Sequence, residues 1–393
     1  MLIQEKLAQA VDILNELDID CWITFVRESS ISHDPMLDYL IEADVTWHSA
    51  FIVTKSGDTY SIVGQMERQA IEDLGVYTHI LSYVEGVKKQ FLETIKEIDP
   101  TSIALNFSKV SEISDGLTHG MYITLYDFLS EIGFEDRIVS AENITSSLKA
   151  RKTPYEVDRI RKAIAHTLDI FSLVTPYIQP GKSEKEIAAI MIQEVEKRQL
   201  DFAWEKSHCP AVFTGPDTAG AHYKPTDRRV ERGHVLNMDF GVKYEDYCSD
   251  MQRTFYILEE QEKQAPPEVM KGFETIVKSI ELAKQAIKPG IQGVEIDKIA
   301  REYIVSMGYE EFPHGLGHQV GRFAHDGTAL LGPAWEKYAK KPFYPLEEGM
   351  IFTIEPRLEV PGRGTVTIEE MVVVRKNCAE YLAEPQKELL LVK

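Results

Sequence analysis

Apolar residues at the start of the chain fall at Leu2, Leu7, Val11, Leu14 and Leu17 with charges between them, the spacing of an amphipathic helix. The segment lacks the continuous apolar centre of a signal peptide. No later run reaches the roughly 18 apolar residues that a bilayer span requires. The runs CWITFV, AFIVT, YSIVG and SIALNFS then read as short strands, the middle two around a Gly57-Asp58 turn, and a helix follows near 120–132. This alternation predicts a smaller α/β domain over residues 1–150.

The stretch SAENITSSLKARKT is polar, and behind it Thr153, Pro154 and Glu156 have the pattern of a capped helix start, so the domain boundary is placed there. Residues 151–393 carry a weak internal repeat. IQPGKSEKEIA at 178–188 and IKPGIQGVEID at 287–297 lie 109 positions apart. Each pairs a Pro-Gly stop with a new amphipathic helix, AAIMIQEVEKR in one copy and KIAREYIVSMGY in the other, and each copy leads into a β hairpin.

The length of 393 residues agrees with two or three domains at about 150 residues each. Asp and Glu number 63 against 43 Lys and Arg, a net charge of −20, which argues against nucleic acid or an anionic membrane as a partner. The cysteines at 21, 209, 248 and 378 form no CxxC and no dense framework, so they read as reduced thiols of a cytoplasmic protein.

Candidate chemistry lies in the two hairpins. VLNMDFGV and CSDMQRTFYI flank a tight turn at Lys243 to Asp246, with Asp239 and Asp250 equidistant from its centre. A regular hairpin makes these two carboxylates cross-strand neighbours, about 5 Å apart at Cβ. In the second copy MIFTIEPRLEV and GTVTIEEMVVVR place Glu355 and Glu369 symmetrically about Gly362, where a bulge or a longer loop could shift the register. A single carboxylate in a strand most often faces solvent. Two adjacent anions among apolar residues repel unless a cation or a proton lies between them. Two such pairs near one pseudo-symmetric centre suit two metal ions of the Mn²⁺, Zn²⁺, Co²⁺ or Fe²⁺ class, given one imidazole. FPHGLGHQVG offers His314 and His318 for that role, but its glycines disfavour a helix and it lacks the glutamate of HExxH. His222 in GAHYKPTD and His325 in AHDG also have polar neighbours, although each could be an ordinary loop histidine.

DFG, SDMQRT, HGLGH, TIEP and IEE, in this order, resemble the pita-bread metallopeptidase family that includes methionine aminopeptidase, aminopeptidase P and prolidase. The resemblance covers about 155–393 by motif and the N-terminal domain more loosely. It implies an α/β (α+β) chain, with a creatinase-like α/β domain followed by a pseudo-two-fold pita-bread catalytic domain. It also implies that Asp239, Asp250, His318, Glu355 and Glu369 hold two divalent ions, first of all Mn²⁺, with Asp250 as the expected bridge. A hydroxide bridging the metals would hydrolyse the bond before proline, with Glu355 carrying protons. His222 and His325 resemble the histidines that contact substrate or steady the tetrahedral intermediate, and His314 an accessory one. The proline-peptidase branch implies a peptide or small-molecule substrate and a homodimer.

Two departures stand out. Proline-specific relatives commonly have an arginine two residues before the last glutamate, where this chain has Thr367, and their EPG is EPR here, with Arg357. The alternative reading is a pita-bread enzyme with an altered pocket, acting as a lyase or hydrolase on a small molecule without proline. Creatinase-like enzymes work without metals and lack the full ligand set. Relatives that serve only as binding modules have lost it, whereas all five positions are filled here.

Overall fold

The run CWITFV forms a strand, Cys21–Val26, with all six residues buried, as a strand covered on both faces requires. The computed structural model describes residues 2–41, 43–109, 111–216 and 223–393. It divides into two compact units, Met1–Lys149 and Ala150–Lys393.

In the first unit Cys21–Val26 pairs antiparallel with Ser49–Thr54 and parallel with Ile103–Leu105, within a six-stranded mixed sheet. The AFIVT and YSIVG runs form the expected hairpin, with Thr54 and Asp58 hydrogen-bonded beside Gly57. Side chains alternate along the strands. Trp22 and Val26 pack with Ile3, Leu7, Ile13 and Leu14 of the helix Leu2–Leu17. Cys21, Ile23 and Phe25 face Phe91 and Ile95 of Lys88–Ile98 and Leu125 and Leu129 of His119–Ser130. The result is a sheet between two helical layers.

The second unit begins with the helix Pro154–Val174. Thr153 and Glu156 form a capping box with Pro154 in the first turn, which satisfies backbone donors that the helix leaves open. The repeat is visible in the backbone. Helices of 21 and 14 residues, Pro154–Val174 and Glu184–Lys197, correspond to helices of 20 and 14 residues, Pro267–Ala286 and Gly293–Ser306. Between the members of each pair stands a glycine with φ +88, Gly181 or Gly290, 109 positions apart. A capping box starts the shorter helix in both copies, Ser183 with Glu186 and Gln292 with Glu295, again 109 apart.

Each helix pair leads to a hairpin. The first joins Val235–Phe240 to Met251–Ile257, continued by Val242–Tyr244 with Tyr247–Cys248. Its register differs from the symmetric expectation. Asp239 lies opposite Gln252, and Tyr244 opposite Tyr247, so the turn residues are Glu245 and Asp246. Both have positive φ, 44° and 68°, as a two-residue type I′ loop demands. Asp250 is therefore not the direct cross-strand partner of Asp239. The slip is two residues and not one, so Asp250 keeps the face that Asp239 occupies. Gly241 sits where the ladder is interrupted, and a Cβ there would lie 1.9 Å from the Ser249 carbonyl oxygen.

The second hairpin keeps its register about Gly362. Ile351–Ile354 pairs with Glu370–Val374 and Arg357–Val360 with Gly364–Thr367, both ladders in step. Glu355 and Glu369 fall opposite each other in the gap between the ladders. Among the described residues, no helix is long and apolar enough to cross a membrane.

Candidate metal centre

The two hairpins meet at Gln252 and Glu369, which form an isolated antiparallel bridge in which the Glu369 N–H reaches the Gln252 carbonyl at 3.4 Å. Asn237 Nδ2 donates to the Thr365 carbonyl at 2.8 Å, and the Thr254 hydroxyl contacts both Asn237 and the Thr367 carbonyl. Strand alternation then sorts the side chains. Gln252 and Glu369 turn to one face, while Arg253 and Glu370 turn to the other and form a buried ion pair at 3.0 Å. The two glutamates of IEE thus have different surroundings, and Glu370 is a structural partner of arginine.

HGLGH is a loop that ends in a two-residue strand, Gly317–His318, paired with Leu330–Leu331. Its path is held by a pair absent from the sequence reading. Asp297 and Arg301, one turn apart on the buried face of Gly293–Ser306, bond to each other at 2.8 and 2.9 Å. Arg301 donates to the carbonyls of Phe312 and His314 at 2.6 and 2.7 Å, and Asp297 accepts from the Leu316 N–H at 3.0 Å. An Asp and Arg four residues apart on an apolar helix face was the available signal. The Glu355 N–H donates to the Leu316 carbonyl, and the His318 N–H to Thr353 Oγ1, which seats His318 beside the second hairpin.

Five of the sequence candidates converge. One ligand atom each from Asp250, His318 and Glu369 lies within 4.8 Å of the others. His318 Nε2 is 3.3 Å from Glu355 Oε1 and 3.7 Å from Asp250 Oδ2. Asp239 stands close enough to feel the charges of Asp250 and Glu355. Burial first, and then the neighbouring carboxylates, push Asp239 and Glu369 well above the usual carboxylate range. Burial likewise raises Asp250, to about 7, against the opposing pull of His318. Burial lowers the His318 imidazole, but its hydrogen bond to Glu355 and the charges of Glu355 and Asp250 carry it up to about 9. Asp239 Oδ1 and Glu369 Oε2 are buried without a hydrogen-bond partner. Unpaired oxygens in so dense a cluster of carboxylates suit a divalent cation, and oxygen donors with one imidazole are the donor set of Mn²⁺ and its neighbours.

His314, His318, His325 and Glu355 line one cavity of about 360 Å³, together with Gln252, Arg357 and Thr367. The His325 ring lies 4.2 Å from that of His318. His314 is kept below its ordinary pKa by burial, and its Nδ1 lies 2.8 Å from the Gly315 carbonyl. His222 lies outside the described residues.

Comparison with known proteins agrees with this geometry. The model of "Metallopeptidase family M24" matches residues 158–376, more than half of the chain. A curated "Xaa-Pro dipeptidase" of Pyrococcus furiosus is 32% identical over 250 residues, 63% of this chain and 67% of that protein. In fold, the chain is similar to an X-Pro aminopeptidase from Thermotoga maritima, with a TM-score of 0.70 at 24% identity over 97% of this chain and 100% of that one. It is likewise similar to an Xaa-Pro dipeptidase from Bacillus anthracis, with a TM-score of 0.70 at 23% identity over 99% and 100%. With its pita-bread architecture and a carboxylate-histidine cluster built from both halves of the repeat, the chain belongs to metallopeptidase family M24.

Proposed function

We propose that this metallopeptidase hydrolyses the peptide bond before proline, in a site where Asp239, Asp250, His318, Glu355 and Glu369 hold two divalent ions, Mn²⁺ first among them. The carrying observation is the group of Asp250, His318 and Glu369, its two carboxylates buried and its imidazole partly exposed, with unpartnered oxygens on Asp239 and Glu369. Several buried anions in contact are tolerable only when they are compensated. The proline specificity draws on relatives described as Xaa-Pro dipeptidases and as an X-Pro aminopeptidase.

Bound in such a site, divalent ions polarise a carbonyl and make water a better nucleophile at neutral pH. The chain's own residues supply the remainder. Glu355 lines the cavity beside His318, placed to accept the proton of the attacking water and to return one to the leaving amine. Water adds its oxygen to the acyl carbon as the C–N bond breaks, and the amine nitrogen gains the proton. His325, on the same wall, offers a hydrogen bond to the carbonyl oxygen as negative charge develops there. His222 is assigned to substrate contact on the family resemblance alone, and His314 to the accessory position on the cavity wall. A cytoplasmic homodimer completes the reading. It draws on the four cysteines, which are free, three of them buried and Cys378 exposed, and on the branch that the chain resembles.

Metal analysis of the purified protein tests this reading, together with hydrolysis of Xaa-Pro dipeptides and longer Xaa-Pro peptides in chelator and after Mn²⁺ addition. Activity lost in chelator and restored by Mn²⁺ is the expected result. Full activity in chelator overturns the metal mechanism. Bound metal without cleavage before proline favours the altered-pocket reading, for which Thr367 and Arg357 on the cavity wall provide the motive.

A further inference from the structure

We infer that Gln252 and Thr367 form a neutral positioning pair that aims Asp239, with Thr367 standing where the resembled motif carries an arginine. The inference rests on the proposed role of Asp239 as a metal ligand and extends it to residues that touch no metal.

Gln252 stands directly opposite Asp239 in the first hairpin, and Thr367 directly opposite Arg357 in the second. The bridge between Gln252 and Glu369 brings the two hairpins side by side. Thr367 Oγ1 therefore lies 2.6 Å from Gln252 Oε1 and 3.2 Å from the Pro356 carbonyl oxygen. At the other end of the carboxamide, Gln252 Nε2 is 3.4 Å from Asp239 Oδ2. Gln252 and Thr367 are each 3% exposed, so both side chains are buried where they meet.

The chemistry of the groups decides the direction of the chain. A hydroxyl has one proton to give, and a carboxylate only accepts. With the Gln252 amide turned the other way, its oxygen would face the Asp239 carboxylate, two acceptors with no proton between them, which burial penalises. The Thr367 hydroxyl therefore donates to Gln252 Oε1, and the Gln252 amide donates to Asp239 Oδ2. This engages one oxygen of Asp239 and leaves Oδ1, which has no hydrogen-bond partner, as the atom available to a cation.

Arg357 does not supply the missing charge to Asp239. Its Nη2 donates to Glu359 Oε1 at 2.8 Å and to Thr365 Oγ1 at 3.3 Å, both within its own hairpin. Asp239 is thus oriented by a neutral amide and keeps its charge for the metal, whereas a guanidinium would share it. The cavity wall formed by Gln252, Thr365 and Thr367 carries no charge of its own.

Metal-free protein titrated calorimetrically with Mn²⁺ tests the pair, using Thr367→Val, Thr367→Ser and Gln252→Leu. Loss of such an orienting partner weakens metal binding about 10–100-fold. That loss is expected for T367V and Q252L, with no further loss in the double variant, while T367S keeps the parental affinity because it keeps the hydroxyl. Parental Mn²⁺ affinity in T367V overturns the inference. So does a lowered Tm of the metal-free T367V protein with unchanged affinity, since the pair would then be structural only. If the parental protein itself binds no divalent ion, the metal reading fails first and the inference falls with it.

Discussion

Lys152 and Asp326 form an ion pair, 3.7 Å between Nζ and Oδ2, in which neither side chain has any exposure to solvent. Asp326 directly follows His325, and its carboxylate also accepts the Arg322 N–H at 2.9 Å, while its own N–H reaches the Gln319 carbonyl at 2.8 Å. The pair closes the loop that presents His325 to the cavity.

Removing one partner of a buried pair leaves a charge uncompensated and costs about 3–5 kcal/mol. Lys152→Met is therefore expected to lower the urea midpoint substantially, and Lys152→Met combined with Asp326→Asn to recover much of the loss. Equilibrium unfolding of the two variants, followed by circular dichroism, checks this. Equal stability of K152M and the parental protein would show that the loop does not depend on the pair.

In the proposed mechanism His325 donates to the developing oxyanion, and loss of one such donor typically lowers kcat by about 10²–10³. His325→Ala is expected to show that drop with a smaller change in KM and unchanged Mn²⁺ affinity. Steady-state kinetics beside a metal titration separate the outcomes. A large loss of affinity would instead assign His325 to the support of His318, whose ring lies 4.2 Å away.

Gly317 allows His318 to reach the second hairpin. A Cβ at 317 would lie 1.9 Å from the Thr353 carbonyl oxygen, a backbone atom that cannot swing aside. Gly317→Ala should destabilise the protein by at least the roughly 1–3 kcal/mol typical of overpacking, and should weaken Mn²⁺ binding by displacing His318. Gly120→Ala, in the helix His119–Ser130 with nothing within 4 Å of the added carbon, is the control and should be neutral or slightly stabilising. Thermal melts with and without Mn²⁺ read both effects.

Much of the fold was legible because it depends on neighbours in sequence. The helix from Leu2, the capping box at Thr153 and the 109-residue repeat all follow from side chains acting over three or four positions. The symmetric expectation for the first hairpin was wrong by two residues. Neither Glu245 nor Asp246 is the glycine that would have marked a positive-φ turn. The two aspartates still share a face, because a two-residue slip preserves it. In the second hairpin the possible shift did not occur, and the register about Gly362 holds.

Residue type and strand parity were thus determined by the sequence itself: which carboxylates share a face, and that they occur in two sets within a repeat. Tertiary structure alone decided which oxygens are left without partners. It also set Gln252 against both Asp239 and Thr367, and placed Lys152 and Arg301 as anchors of the histidine loops. Parity is a property of a few adjacent bonds. A bond between Gln252 and Thr367 spans 115 positions. Closing such a loop has an entropic cost that no local segment offsets, so these contacts exist only when the packed core of the whole unit brings the hairpins together.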